Sequence, residues 1–251
     1  MSSTAPMYRL EGVSRRRAQG GSAFELIIPA LEIHAGELVA IVGESGCGKS
    51  TLLDLLALVL RPSRAEIFGF HAPGHQEPTD VGALWLADRE DRLAAMRREY
   101  MGYVLQTGGL LPFLSVRGNI ELPARVAGRP ARSLARLAAD LGISGLLDRM
   151  PHALSVGQRQ RVAIARAVAH GPALVLADEP TAAVDQGRAR KIMEELATLA
   201  RAHGTAVVVV THDRRLVEPL MDRGYGFEVA SESDDLTVSV CSPLVCQSVT
   251  A

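Results

Sequence analysis

The feature that most limits how this chain can fold is the nonapeptide "GESGCGKST", Gly43 to Thr51, set between the apolar runs "ELVAIV" and "LLDLLALVL". Strand, glycine loop and helix follow end to end, and the loop fits G-x-x-x-x-G-K-[ST]. Such glycines let the backbone curl round a phosphate chain and offer it N–H groups, while the next helix points its positive end at the same anion. Gly43, Glu44, Ser45, Gly46, Cys47, Gly48, Lys49, Ser50 and Thr51 are the expected cradle of a nucleoside triphosphate. Lys49 is expected on the β- and γ-phosphates and Ser50 on Mg²⁺. Lys191 is the only other lysine, against twenty-five arginines. A compact ammonium therefore stands at the one position where a phosphate cradle suits it.

The rest of the chain extends this unit into an α/β fold. Strand-like runs "FELIIPALEI", "ELVAIV", "ALVLAD" and "TAVVVVTHD" alternate with helical patterns, as in a buried, mainly parallel sheet. In "GRARKIMEELATLARAHG", Ile192, Met193, Leu196, Leu199 and Ala200 give one apolar helix face, and Gly204 stops the helix. Between Gln106 and Ser155 helical spacing replaces strands, so a helical subdomain is expected over about 107–157. "GYGFEVASESDDLTVSVCSP" reads as an antiparallel hairpin at about 225–241 on the sheet edge, turning at "SESDD". With no repeat or long linker, residues 1–251 read as one compound domain.

Charge and hydropathy narrow the function. A formal net charge of -1 leaves no basic excess for counterion release, so nucleic acid is not an expected partner. The start "MSSTAPMYRLEG" lacks the pattern of a secretory signal, and no run reaches the 18 or so apolar residues of a membrane span. A cytoplasmic location is expected, with any membrane role supplied by a partner. Three cysteines are too few and too uneven for a disulfide framework. Cys241 and Cys246 are expected to pack as small hydrophobes. Cys47, beside Lys49, is either a tolerated small side chain or a thiol whose pKa the lysine lowers.

A second element accompanies the glycine loop. "ALVLADEP" is an apolar strand ending in Asp178 and Glu179, where one carboxylate can hold Mg²⁺ and the next can activate an attacking water. The longer stretch "ALSVGQRQRVAIARAVAHGPALVLADEPTAAVD" resembles the ATP-binding cassette (ABC) ATPases, whose signature LSGGQ precedes such a helix and acidic strand. The resemblance runs from about Glu37 to Asp213 and implies a P-loop NTPase, RecA-like core with an inserted helical subdomain and an antiparallel β subdomain. It implies ATP and Mg²⁺ as ligands. Gln106, ending "YVLQ", matches the Q-loop, Asp185 the D-loop and His212 the switch histidine.

The same resemblance implies that two cassettes pair head to tail, each signature closing the other's site. Ser155, Gly157 and Gln158 would then face the partner's γ-phosphate; Glu179 would be the general base; His212 would contact the γ-phosphate; Gln106 would sense Mg²⁺ or water. Two departures stand out: Val156 replaces the first signature glycine, and Arg17 occupies the place of the expected adenine-stacking aromatic, for which Tyr8, Phe24 or the guanidinium itself are substitutes.

"YMGYVLQTGGLLPFLSVRGNIELPARVAG" is similar to cassettes of macrolide exporters, lipoprotein-release systems and the cell-division ATPase. There "LLPFLSV" would line a groove for a permease's coupling helix. The expected partners are integral membrane permease subunits and a second copy of the chain or a related cassette, with the chain peripheral on the inner membrane face. The leading expectation is the energising subunit of an exporter or lipid extractor. A regulatory ATPase transmitting force to an extracytoplasmic hydrolase is the alternative. A soluble cassette of translation or repair fits less well, since this chain carries one cassette and a short insertion. Extra residues between Gly69 and Gln106 include Trp85, expected to fill the core of a local hairpin rather than to mark a partner contact.

Overall fold

The computed structural model describes residues 5–130, 132–182, 184–233 and 235–244. The chain opens with β1 (Tyr8–Gln19) and β2 (Ser22–Ile33), an antiparallel pair turned at Gly20 and Gly21, whose φ values of 61° and 91° suit glycine. Next come β3 (Leu38–Val42), α1 (Lys49–Leu56), β4 (Ile67–Phe70), β5 (Thr79–Asp80), α2 (Val81–Leu86), α3 (Glu90–Tyr100) and β6 (Met101–Val104). The helical interval holds α4 (Val116–Ala127), α5 (Leu134–Asp140) and two 3₁₀ turns, and leads into α6 (Val156–Val168). The chain ends with β7 (Leu174–Asp178), α7 (Gln186–His203), β8 (Ala206–Thr211), α8 (Arg214–Val217), β9 (Arg223–Ser233) and β10 (Leu236–Pro243).

The strands form one mixed sheet in the order β5-β4-β1-β2-β10-β9-β3-β8-β7-β6. From β9 to β6 every pairing is parallel, and the residues of β8 are all buried, as expected of a strand covered on both faces. Its opposite faces serve two cores. Val208 and Val210 pack with β1, β2 and α1, whereas Val207 and Val209 pack with α6, α7 and the helical interval. On α7 the expected apolar face is buried, and Gly204 caps the helix at a φ of 63°.

Two expectations are corrected. The β9–β10 hairpin is not at the sheet edge: β9 pairs parallel with β3 and β10 parallel with β2, so the hairpin joins the antiparallel strands to the parallel ones. Alternating apolar residues identify a strand but not its neighbours, and the polar "SESDD" reflects only the turn, of which Asp234 lies outside the described residues. Trp85 does fill core, but from α2 rather than from a hairpin; it is 6% exposed and packs in the cluster of Tyr8, Phe68 and Phe70. Cys241 is buried as a small hydrophobe, and Cys246 lies outside the described residues.

Candidate nucleotide site

The glycine loop lies between β3 and α1, at the end of the sheet where the parallel strands finish. Gly46 and Gly48 have φ of 83° and 106°, conformations that L side chains rarely adopt. Gly48 is also the N-cap of α1, and no side chain caps that helix, so its first-turn N–H groups are left for a ligand. Lys49 is 9% exposed, and its Nζ donates to the carbonyls of Gly43 and Glu44 at 2.7 Å each. The loop thus holds its own ammonium at the centre of the curl, where a phosphate chain would replace those carbonyls.

A cavity of about 670 Å³ opens above the loop. Glu44, Ser45, Gly46, Gly48, Lys49, Ser50 and Thr51 form its floor. Gln106, Asp178, Glu179 and His212 reach it from the ends of β6, β7 and β8. Glu179 is held at φ 44°, a left-handed conformation unusual for a side-chain-bearing residue, and its N–H donates to the Val210 carbonyl at 3.0 Å. Its carboxylate faces His212 Nδ1, 3.0 Å from Oε1 and 2.9 Å from Oε2. A carboxylate only accepts, so Nδ1 carries the hydrogen of that bond. Burial pushes the Asp178 carboxyl up, as do Glu179 and Asp54, while Lys49 pulls it down.

The signature residues are elsewhere. Ser155 is the N-cap of α6 and forms a capping box with Gln158: Ser155 Oγ accepts from Gln158 N at 3.3 Å, and Gln158 Oε1 accepts from Ser155 N at 2.9 Å. Ser155, Gly157 and Gln158 line a separate cavity of about 290 Å³ together with Arg161, Arg188 and Lys191. Asp185 caps α7, accepting from Arg188 N at 3.1 Å. The fold therefore gathers the loop, the two acids, Gln106 and His212, and leaves Ser155, Gly157, Gln158 and Asp185 outside that cavity.

Cys47 departs from its expected place. It is 4% exposed, its Sγ lies against Gly43, and it does not line the cavity. Burial pushes the thiol up by more than Lys49 lowers it, so the lowered-pKa reading is corrected. Tyr8 is also removed as a base-stacking candidate, being fully buried with its hydroxyl donating to the Leu56 carbonyl at 2.8 Å.

Sequence reasoning missed three residues that position the loops around the site. Ser239 on β10 is fully buried and donates its hydroxyl to the Cys47 carbonyl at 2.6 Å, across 192 residues of chain. Arg166 on α6 donates to the carbonyls of Gly108 and Gly109 at 3.0 and 2.6 Å, holding the segment that follows Gln106. Asn119 is fully buried and staples "LLPFLS": Oδ1 accepts from Leu111 N at 2.7 Å, and Nδ2 donates to the carbonyls of Leu111, Leu114 and Ser115 at 3.0 to 3.1 Å. Isolated polar residues in apolar stretches, Ser239 in "TVSVC" and Arg166 in "VAIARAVA", were the available signal; Asn119, among the charged residues of "RGNIEL", gave none.

A glycine loop between a parallel strand and a helix, with paired acids and a histidine on neighbouring strand ends, defines a P-loop nucleoside triphosphatase. The ABC transporter family profile matches residues 29–182, and the chain belongs to that family as an ATP-binding ABC ATPase cassette. It is similar to the macrolide export ATP-binding/permease protein MacB of Sodalis glossinidius (strain morsitans), 41% identical over 86% of this chain and 33% of that protein. It is also similar to the probable syringafactin export ATP-binding/permease protein SyfD of Pseudomonas syringae pv. tomato (strain ATCC BAA-871 / DC3000), 39% identical over 86% of this chain and 31% of that one. The chain thus spans about a third of the length of these curated relatives. Among solved structures, the dimeric bacterial ABC transporter cassette MJ0796 superposes with a TM-score of 0.73 at 33% identity, covering 88% of this chain and 94% of that one. The same cassette in a post-hydrolysis dimer bound to ADP and Pi gives 0.71 at 31% identity, again over 88% and 94%.

Proposed function

We propose that the chain is the ATP-hydrolysing subunit of a membrane export complex, pairing head to tail with a second copy and driving permease subunits at the inner membrane face. No helix among the described residues is long and apolar enough to cross a membrane, so the translocating part would be a partner or another part of a longer protein. The observation that carries the reading is the convergence of Lys49, Gln106, Asp178, Glu179 and His212 on one cavity, while the signature lies apart from it. A site divided in this way is completed by a partner's α6.

In this reading Lys49 exchanges the Gly43 and Glu44 carbonyls for β- and γ-phosphate oxygens, and the first turn of α1 receives the same anion. Glu179 accepts a proton from water as that water's oxygen bonds to the γ-phosphorus; the bond from phosphorus to the bridging oxygen breaks, and ADP carries away the electron pair. His212 holds the Glu179 carboxylate through Nδ1, and its other ring nitrogen, when it too carries a hydrogen, donates to the γ-phosphate. Ser50, Gln106 and Asp178 are oxygen donors on the cavity wall and fit a hard cation. Magnesium held there would neutralise charge on the phosphate oxygens.

The segment after Gln106 supports a permease contact. Phe113 is 72% exposed, Asn119 fixes the backbone on either side of it, and Arg166 holds Gly108 and Gly109. Glu179→Gln tests the whole reading. Hydrolysis should fall by about 10²–10⁴-fold, ATP binding should persist, and ATP should convert the variant from monomer to dimer by light scattering. Parental turnover in that variant would remove Glu179 as the base.

A further inference from the structure

Both α6 and α7 begin at the signature cavity and end, at Val168 and His203, against α5. Between these three helices lies a further cavity of about 310 Å³, large enough for a small ligand. None of its residues lines the nucleotide cavity. The buried Val168 and Leu199 form its floor with Leu137, and its rim carries Arg132, Arg136 and His203. Among the described residues the one carboxylate on its wall is Asp140, which stands 4.0 Å from Arg136 on an exposed turn of α5, while Arg132 and His203 have no ion pair or side-chain hydrogen bond. Arg132 is half-buried, and burial works against its charge. A guanidinium does not give up its proton, so that penalty stands until an anion offsets it. Burial, Arg132 and Arg136 also hold the His203 imidazole below its ordinary range, with Asp140 opposing them. With His203 neutral, two guanidiniums against one carboxylate leave a single positive charge above an apolar floor. A second hollow, of about 520 Å³, shares Arg136, Leu137, Leu199 and His203 with the first and adds Leu141 and Ala202, so apolar surface continues between α5 and α7. The charged Lys191, Glu194 and Glu195 complete its lining and bound that apolar stretch.

We propose that this cavity binds a small amphiphilic monocarboxylate, a fatty-acid-like anion whose head lies between Arg132 and Arg136 and whose chain runs over Leu137 and Leu199 towards Leu141. The planar fork of an arginine matches a carboxylate bidentately, which a lysine ammonium cannot do. One negative charge balances the excess at the rim, whereas a dianionic phosphate would leave a surplus of the opposite sign. The floor adds affinity with each methylene it covers. A short carboxylate uses only the rim and a cationic amphiphile only the floor, so full affinity needs both parts in one molecule. The site stands apart from the nucleotide reading: α7, whose far end it occupies, is 18 residues and so roughly 27 Å long.

Calorimetric titration of the full chain at neutral pH with octanoate, acetate and octyltrimethylammonium separates head from tail. Octanoate should bind with a Kd of about 1 mM or tighter. Acetate, the head alone, and octyltrimethylammonium, the same tail on a cation, should each bind at least about tenfold more weakly. Arg132→Ala should weaken octanoate about tenfold, as loss of a charged hydrogen bond does. Arg136→Glu changes a side chain that is 81% exposed, so the fold should tolerate it, and reversing the charge should weaken octanoate at least as much. Octanoate affinity unchanged in both variants would overturn the proposal, as would a wild-type chain that bound octyltrimethylammonium as tightly as octanoate or took up no octanoate at all. Thermal melts of the same variants add a further check. A lower melting temperature with octanoate affinity intact would reduce the cations to partners of the carbonyl ends of α6 and α7, and would overturn it too.

Discussion

In the proposed reading the helix ends at Gly48 and Ser155 both serve phosphate, yet they are built in opposite ways. At α1 the N-cap is a glycine with no side-chain cap, the lysine is folded onto the loop's own carbonyls, and the supporting hydroxyl comes from Ser239 on a distant strand. At α6 the cap is local and complete, Ser155 and Gln158 satisfying each other within four residues. The first end is unfinished without an anion and depends on the whole sheet. The second is finished alone and lacks only the molecule that would face it. A site split between an open cradle and a prefolded lid lets one be filled before the other closes, which suits the proposed pairing of two cassettes on ATP.

The largest break in this comparison comes from paired glycine substitutions. Gly48→Ala puts a side chain at φ 106° and a methyl 3.1 Å from Phe24, so ATP affinity of the isolated chain should fall on the order of a hundredfold. Gly157→Ala adds a methyl whose nearest neighbours, Arg188 and Val184, stand at 3.8 and 3.9 Å, ordinary contact distances within the monomer. Its ATP affinity should stay parental, while ATP-dependent dimerisation in a Glu179→Gln background should fail. Titration calorimetry on each variant, followed by light scattering, reads both. Loss of monomer affinity in Gly157→Ala would show that the two ends are not independent.

The same contrast explains what was legible in the sequence. The cradle was readable because its chemistry is local: a strand, a glycine loop and Lys49 lie within one short stretch. Asp178 and Glu179 were readable because an apolar strand carries them to the same end of the sheet. Ser239 was not, since its partner lies 192 residues away and only strand order brings them together. Strand order itself escaped the sequence, because the pattern of "GYGFEVASESDDLTVSVCSP" is the same for a hairpin at an edge or in the middle. Gln158 had the opposite fate. Its Ser-x-x-Gln spacing from Ser155 announces a capping box, which the signature reading, directed at a partner's nucleotide, passed over.

A smaller effect sharpens the difference by removing one hydroxyl from each end. Ser239→Ala leaves the buried Cys47 carbonyl without its donor, which should cost about 1–3 kcal/mol of stability and raise the Kd for ATP about fivefold. Ser155→Ala removes an exposed cap, costing about 1 kcal/mol, and should leave the monomer's Kd for ATP unchanged. Denaturant titration gives the first quantity and calorimetry the second. If both variants lost stability and neither lost ATP affinity, the Ser239 bond would be a fold contact with no bearing on the cradle.

The smallest effect concerns what the open end costs the protein when no ligand fills it. Burial, Glu179 and Asp54 raise the Asp178 pKa above its ordinary value of 3.8, so the folded state holds that proton more tightly than the unfolded chain does. The resulting stability is fully present below 3.8 and is lost as pH rises through the folded-state pKa; at neutral pH the charged carboxylate opposes folding. Asp178→Asn, which keeps the shape and removes the charge, should therefore melt above the wild type at pH 7 and level with it in acid below 3.8, while losing hydrolysis. A thermal melt series across that range decides it. A variant that melted below the wild type at pH 7 would mean that Lys49, not burial and the neighbouring acids, dominates the field at Asp178. The cradle would then be at rest without its ligand, in the same sense that the capped end of α6 already is.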